Sequence, residues 1–376
     1  MFRIFILVVL LSCALTSAAE YESKYYRVVS DLRRDQVKEA LVRLDRAYEQ
    51  FERDFSFVRS RERNPGLLRG VIYTNRTDYL QVRGSMSKSD GCYLPSKRML
   101  LMYFHEGTEW PTVVHEAFHQ YAEEIIGGGP WPAWLNEGTA EYYDHAGFTG
   151  DGYFPGAVSA RQVAANAEML RGKTFIRFDR LLAMGQAEWN RHFRHELYHE
   201  SWSIVHYLMH GDADSRKTYE AFVQGVADSK NEKDVAAAWR AAVPDDRAFE
   251  RAWRRYWTEN NKDNTKLISQ QRVALTTLSG IARLNASHGR QVRDLEQYFR
   301  LSQAKQLNLK DTPELWLPPD LLLTAATDRD RNAQWRLAYD ANGKPTLTVQ
   351  LKPTGTLEAR YAGDPGQERP VVTHTP

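Results

Sequence analysis

The stretch PTVVHEAFHQY, residues 111–121, contains the motif H-E-x-x-H at His115, Glu116 and His119. Residues four apart lie on one face of a helix, with Cβ atoms about 5–6 Å apart. Two imidazoles at this spacing can both reach one ion at about 2.0–2.1 Å. Glu116 would then face a water molecule beside that ion. The motif therefore predicts a helix that carries part of a metal site.

A second H-E-x-x-H, HELYH, occurs at residues 195–199. The zinc-peptidase form of the motif has uncharged residues around the pair and a hydrophobic residue two positions after the second histidine. In the first copy, Tyr121 is the required hydrophobic residue. In the second copy, Glu200 is charged where an uncharged residue is required, and Ser201 stands where a hydrophobic residue is required. Histidines also recur here at helical spacing, at His192, His195, His199, His206 and His210. A second metal site is the less favoured reading, because no carboxylate or thiol set completes it.

A third ligand is expected in the stretch WLNEGTAE, residues 134–141. Catalytic zinc takes three protein ligands and keeps a fourth position open, so two histidines are an incomplete site. A Gly-rich turn at 127–130 lets this second helical segment return beside the first and bring Glu137 to the ion. Glu141, one turn further on, is expected to accept the free N–H of His115 and to fix its orientation.

These residues resemble the gluzincins, the MA clan of zinc metallopeptidases. WLNEGTAEY at 134–142 and YHESW at 198–202 resemble more closely the peptidase-MA-like proteins, bacterial exported domains of largely uncharacterised substrate. The resemblance covers roughly residues 24–260. It implies one Zn²⁺ held by His115, His119 and Glu137, with Glu116 as general base and acid. Gluzincins commonly supply an oxyanion donor from a later helix, and Tyr198 is the candidate.

The N-terminus has the layout of a secretory signal peptide over residues 1–19. Arg3 precedes an apolar run that is too short to span a membrane, and small residues end it at 17–19. We therefore expect an exported protein, periplasmic or extracellular, with no integral membrane span in the mature chain. An uncleaved anchor and lipidation at Cys13 are less favoured alternatives. If the signal peptide is cleaved and takes Cys13 with it, Cys92 is the one remaining cysteine. We expect Cys92 to be a small apolar strand residue.

The predicted fold class is α+β. A small mixed β-sheet (about 24–105) precedes a mostly helical zincin-type catalytic part (about 111–261), and together they form a domain over residues 20–261. A helical extension follows at 262–325, and then a small C-terminal β unit with a frayed tail at 326–376. The pair Asn342-Gly343 predicts a hairpin between strands at 334–339 and 346–351, with a third strand at 356–361.

The expected function is that of a zinc-dependent peptidase, with a peptide or protein as substrate. The resemblance implies an edge strand within residues 91–104 that aligns an extended peptide by main-chain hydrogen bonds. The sequence lacks the Gly-rich exopeptidase motif, so an endopeptidase is preferred. With 50 basic and 48 acidic residues and no basic run, nucleic acid is not an expected partner. Two alternatives remain open: a catalytically silent, zinc-containing envelope binding protein, and a zinc hydrolase of a non-peptide amide.

Overall fold

The computed structural model describes most of the chain beyond the N-terminus. It covers residues 18–303 and 329–375, apart from 60–61, 63–64, 85–88, 106–109, 149–151, 157, 159, 173, 192–194, 260–262, 288, 290, 292–293, 352–354 and 363–368. Most of the predicted signal peptide, with Cys13, lies outside these residues, as do His192 and residues 304–325 of the predicted helical extension. No helix within the described ranges is long and apolar enough to cross a membrane.

The chain divides into two compact units, residues 1–145 with 166–259 and residues 146–165 with 260–376. The first unit begins with a five-stranded mixed sheet of order β1-β2-β3-β5-β4. Strands β2, β3 and β5 are parallel, whereas β1 and β4 form antiparallel edges. The strands are β1 (Ala19–Glu22), β2 (Tyr26–Ser30), β3 (Leu68–Tyr73), β4 (Gly91–Leu94) and β5 (Met99–Tyr103).

Helices cover both faces of this sheet. Helix α1 (Arg34–Asp54) buries a stripe that includes Val37, Leu44 and Phe51, a spacing that aligns them on one face. Helix α2 (Arg76–Arg83) places Tyr79 on the opposite sheet face, where it packs with Val71 and Cys92. The apolar strand residues are thus buried from both sides, as a largely parallel sheet requires.

The predicted metal motifs lie on two adjacent helices. Helix α3 (Trp110–Tyr121) continues into a π-helical turn (Ala122–Ile126), and helix α4 (Ala133–Asp144) follows. Gly127 and Gly128 have φ angles of 63° and 92°, which glycine adopts without strain. A Cβ on Gly128 would also lie 2.5 Å from the Cα of Ala227, so this turn is closely packed. The Gly-rich turn therefore returns α4 beside α3.

The rest of the first unit is helical. Helix α9 starts from a capping box between Asp212 and Ser215, and the side chain of Asn231 caps α10. The helices are α5 (Ala160–Gly172, whose first residues belong to the second unit), α6 (Phe178–Leu182), α7 (Gln186–Arg191), α8 (His195–His210), α9 (Ala213–Asp228), α10 (Glu232–Ala242) and α11 (Asp246–Glu259).

The second unit has its own core between helices and an antiparallel sheet of order β11-β10-β9-β8. Leu275 and Leu278 pack with Val349 and Leu357 there. It also contains the short hairpin β6 (Gly147–Phe148) and β7 (Tyr153–Phe154). Its other elements are α12 (Asp263–Ser287), α13 (Leu295–Gln303), β8 (Gln334–Tyr339), β9 (Pro345–Leu351), β10 (Gly355–Ala362) and β11 (Arg369–Thr375).

The α+β fold class is confirmed, with an N-terminal mixed sheet, a helical middle and a small C-terminal antiparallel sheet. The prediction of a frayed tail is wrong over Arg369–Thr375, because these residues pair with β10 as a fourth strand. Residues 146–165 group with the second unit, although the sequence analysis assigned them to the first domain. Strand β1 begins at Ala19, the last residue of the predicted signal peptide.

Candidate metal centre

Helices α3 and α4 bring His115, His119 and Glu137 together. The Oε2 atom of Glu137 lies 3.3 Å from Nε2 of His115 and 3.5 Å from Nε2 of His119. The three side chains are only 12–14% exposed. Two ligand atoms that each lie 2.0–2.1 Å from a tetrahedral ion are about 3.3–3.4 Å apart. The three groups could therefore hold one metal ion.

The buried carboxylate of Glu137 between the two imidazoles favours a positive charge at the centre of this group. Burial lowers the pKa of His115, but the hydrogen bond to Glu137 and the neighbouring carboxylates outweigh it and raise this pKa to about 9. Burial likewise raises the pKa of Glu137, yet His119 and His115 bring it well below its usual range. A cation bound between these groups would take the place of protons on the histidines.

Asn136 and Asp144 add partners to the histidines that the sequence analysis did not predict. Oδ1 of Asn136 lies 3.1 Å from Nδ1 of His119, so this nitrogen donates when Nε2 faces an ion. Nδ1 of His115 lies 3.9 Å from Glu141 and 3.8 Å from Asp144. Glu141 is therefore close to the predicted position, but at ion-pair distance, and it shares His115 with a second carboxylate. Asn136 directly precedes Glu137 in the WLNEGTAE stretch, and this position beside a predicted ligand was the sequence signal that could have identified it.

The carboxylate of Glu116 faces the edge strand β4. The main-chain N–H of Tyr93 donates a hydrogen bond of 2.9 Å to Oε2 of Glu116. A Cβ on Gly91 would lie 3.1 Å from Cγ of Glu116 and 3.2 Å from Cγ2 of Thr112. Glu116 therefore packs directly against the strand. Sequence reasoning missed this contact because it depends on how helix α3 packs across the edge of the sheet.

Tyr198 borders the group from helix α8. Its ring centroid lies 6.5 Å from that of His115, and the indole of Trp189 packs edge-on against it at 5.3 Å. Burial, together with the charge of Glu137, raises the pKa of Tyr198 above its usual range, so the phenol keeps its proton. A Cβ on Gly138 would lie 2.6 Å from the carbonyl oxygen of Ser201, so helices α4 and α8 cross in close contact at a glycine.

The second H-E-x-x-H lies along α8 beside Tyr198. His195 is exposed, and His199 stacks on Trp202 at 5.3 Å. Burial lowers the pKa of His199 to about 4, with a further contribution from His145. Neither histidine joins a potential metal-binding group among the described residues. Two further histidines of this helix are hydrogen-bonded, as His206 to Tyr256 and His210 to Tyr142.

Cys92 lies on strand β4 with its side chain on the sheet face opposite Glu116. It is a buried free cysteine, and burial raises its pKa to about 12. Its thiol is therefore protonated and unreactive at neutral pH, as expected of an apolar strand residue.

One protein-family model matches residues 109–231, and its description is "Protein of unknown function (DUF1570)". The matched segment contains all six predicted site residues, including Glu116, Glu141 and Tyr198. It also contains both copies of H-E-x-x-H. No curated protein matches the chain.

Proposed function

We propose that the chain is an exported, zinc-dependent peptidase of the gluzincin type, most simply an endopeptidase. The observation that carries the proposal is the arrangement of His115, His119 and Glu137, whose two nitrogen-to-oxygen distances match the edges of a tetrahedral zinc site. An intact Glu116 beside these groups favours catalysis, because a purely structural zinc needs no general base.

The donor set suits zinc. Two imidazoles and one carboxylate leave a fourth tetrahedral position open, as catalytic zinc sites require. Bound there, zinc would act as a Lewis acid that polarises a carbonyl group and lowers the pKa of a water molecule. Asn136 would keep His119 in the tautomer that presents Nε2, since Oδ1 of Asn136 can only accept a hydrogen bond.

Two further side chains have roles in proton and charge handling. Glu116 takes a proton from the attacking water and passes it to the leaving amine. Tyr198 donates its phenol proton in a hydrogen bond to the oxyanion that develops at the scissile carbonyl. The raised pKa of Tyr198 supports this role, because only the protonated phenol can donate.

The proposed substrate is a peptide or protein segment in an extended conformation. Strand β4 is an edge strand, but its edge is partly used within the chain. The N–H of Tyr93 bonds Glu116, and the N–H and C=O of Gly91 bond the hydroxyl of Ser89. A peptide that pairs along β4 would therefore have to bind beyond these bonds. Export is proposed from the signal-like sequence of residues 1–19.

The test is turnover of casein by the zinc-loaded protein, with Glu116→Gln as the decisive variant. Glu116→Gln should keep zinc and lose activity, because the amide preserves the shape of the side chain but cannot take the proton. Glu196→Gln makes the same change at the equivalent position of the second motif and should cut casein like wild type. Equal activity of wild type and Glu116→Gln would refute the proposed mechanism. A wild type that holds zinc but cuts neither casein nor a peptide library would favour the binding-protein alternative.

A further inference from the structure

The pairing of β4 with β5 determines which main-chain groups of β4 point away from β5, on what we call its open side. The N–H of Tyr103 donates to the carbonyl of Asp90 at 2.7 Å, which makes these two residues a hydrogen-bonded pair. Such pairs alternate along an antiparallel ladder. Cys92 is therefore bonded to Leu101, while the main-chain groups of Gly91 and Tyr93 point away from β5. The N–H that contacts Glu116 belongs to this open side.

We infer that β4 positions Glu116 for proton transfer, with Tyr93 as the positioning residue through its main-chain N–H. This inference rests on the proposed function. Proton transfer needs one carboxylate oxygen in a fixed direction. The 2.9 Å bond from Tyr93 anchors Oε2, and this sets the direction of Oε1. Gly91 leaves no spare room behind the side chain, since even a methyl group there would press on Cγ of Glu116.

The strand is in turn fixed by the helix that carries Glu116. Glu124 lies in the π-helical turn that continues α3, and its side chain is only 7% exposed. Its carboxylate accepts hydrogen bonds from the phenol of Tyr93 at 3.4 Å, from Nε of Arg98 at 2.9 Å and from Nε2 of Gln120 at 2.8 Å. Helix α3 therefore holds β4 at Glu124, and β4 holds Glu116 at Tyr93. This closed arrangement restrains the carboxylate more than a helix rotamer alone would.

Amide hydrogen exchange tests the contact without any need for activity. The Tyr93 amide should exchange at least about tenfold faster in Glu116→Ala than in wild type, because it loses its acceptor. The neighbouring Cys92 amide, bonded within the sheet, should be unchanged and serves as the internal reference. Glu116→Gln is the matched control, since its amide oxygen still accepts the bond and should keep the protection. An unchanged Tyr93 amide in Glu116→Ala would overturn the inference, as would an equal acceleration at Cys92.

Kinetics test the consequence for catalysis. Gly91→Ala should lower kcat about tenfold or more, with KM and bound zinc unchanged, because its methyl group displaces Glu116 and not the substrate or the ligands. Cys92→Ala, on the opposite face of the same strand, should keep kcat. In the Glu116→Gln background, Gly91→Ala should cause no further loss. A Gly91→Ala variant with wild-type kcat would overturn the positioning role. If wild type cuts no substrate, the proposed function fails, while the exchange experiment still decides whether β4 holds Glu116.

Discussion

Gly138→Ala tests the close crossing of helices α4 and α8, on which the position of Tyr198 depends. The added Cβ would lie 2.6 Å from the carbonyl oxygen of Ser201 and 2.7 Å from its carbonyl carbon. Ordinary van der Waals contacts begin near 3.4 Å. The helices must therefore separate by about 0.8 Å to bring the 2.6 Å contact up to this distance. Both close atoms belong to the backbone, so no side-chain rotation relieves the contact. Overpacking of this kind costs about 1–3 kcal/mol of unfolding free energy.

The same separation should affect catalysis. Tyr198 lies one turn before Ser201 on α8, so it moves away from the metal group with the helix. A displacement near 1 Å can cost about 100-fold in rate. We therefore expect Gly138→Ala to unfold at a lower urea concentration and to lose about 10- to 100-fold in kcat.

Gly185→Ala is the matched control, because a Cβ there would meet nothing within 4 Å. It should unfold within about 0.5 kcal/mol of wild type and keep its kcat. Gly138→Ala and Gly185→Ala variants with the same urea midpoint and the same kcat would refute the close crossing.

Three other changes give distinct expected outcomes. Burial raises the pKa of Glu200 from 4.5 to about 8, so the folded chain binds the extra proton and stability falls as pH rises between these values. Glu200→Gln should therefore be more stable than wild type at pH 8, on the order of a few kcal/mol, but not at pH 4.5. Glu196→Gln changes an exposed residue and should have wild-type stability at both pH values. Urea unfolding midpoints of the two variants and wild type at pH 8 and pH 4.5 test this prediction. Asn136→Ala should weaken zinc binding about tenfold or more in a chelator competition, because His119 loses its Nδ1 partner; an unchanged Kd would remove that role. Tyr198→Phe should keep zinc and lower kcat about 10- to 1,000-fold, and wild-type turnover by this variant would end its role as oxyanion donor.

The metal ligands could be predicted because their geometry is local. The spacing of His115 and His119 fixes their relation on any helix, and the Gly-rich turn accounts for the return of Glu137. The contact between Tyr93 and Glu116 could not be predicted, because it depends on the register of β4 against β5 and on how α3 packs across the edge. No spacing within the chain encodes either relation.

The fold, like the site, could be predicted from the sequence only in part. The Asn342-Gly343 turn predicted a hairpin of two C-terminal strands with a third strand after it, and the pairing of β8, β9 and β10 follows that prediction. Strand β11 was missed because Pro370 and polar residues surround a short β-branched pair. Its pairing with β10 and the packing of Val372 against the core are tertiary contacts that this pattern does not report. The grouping of residues 146–165 with the second unit depends on tertiary contacts that periodicity does not report.

The most direct test of the central claim is the amount of zinc bound per chain in wild type, His115→Ala and His195→Ala, measured by elemental analysis after dialysis. Both variants remove the first histidine of an H-E-x-x-H motif, so each is the control for the other. We predict one zinc in wild type, little or none in His115→Ala, and one in His195→Ala. Loss of zinc in His195→Ala, with full zinc in His115→Ala, would contradict the account.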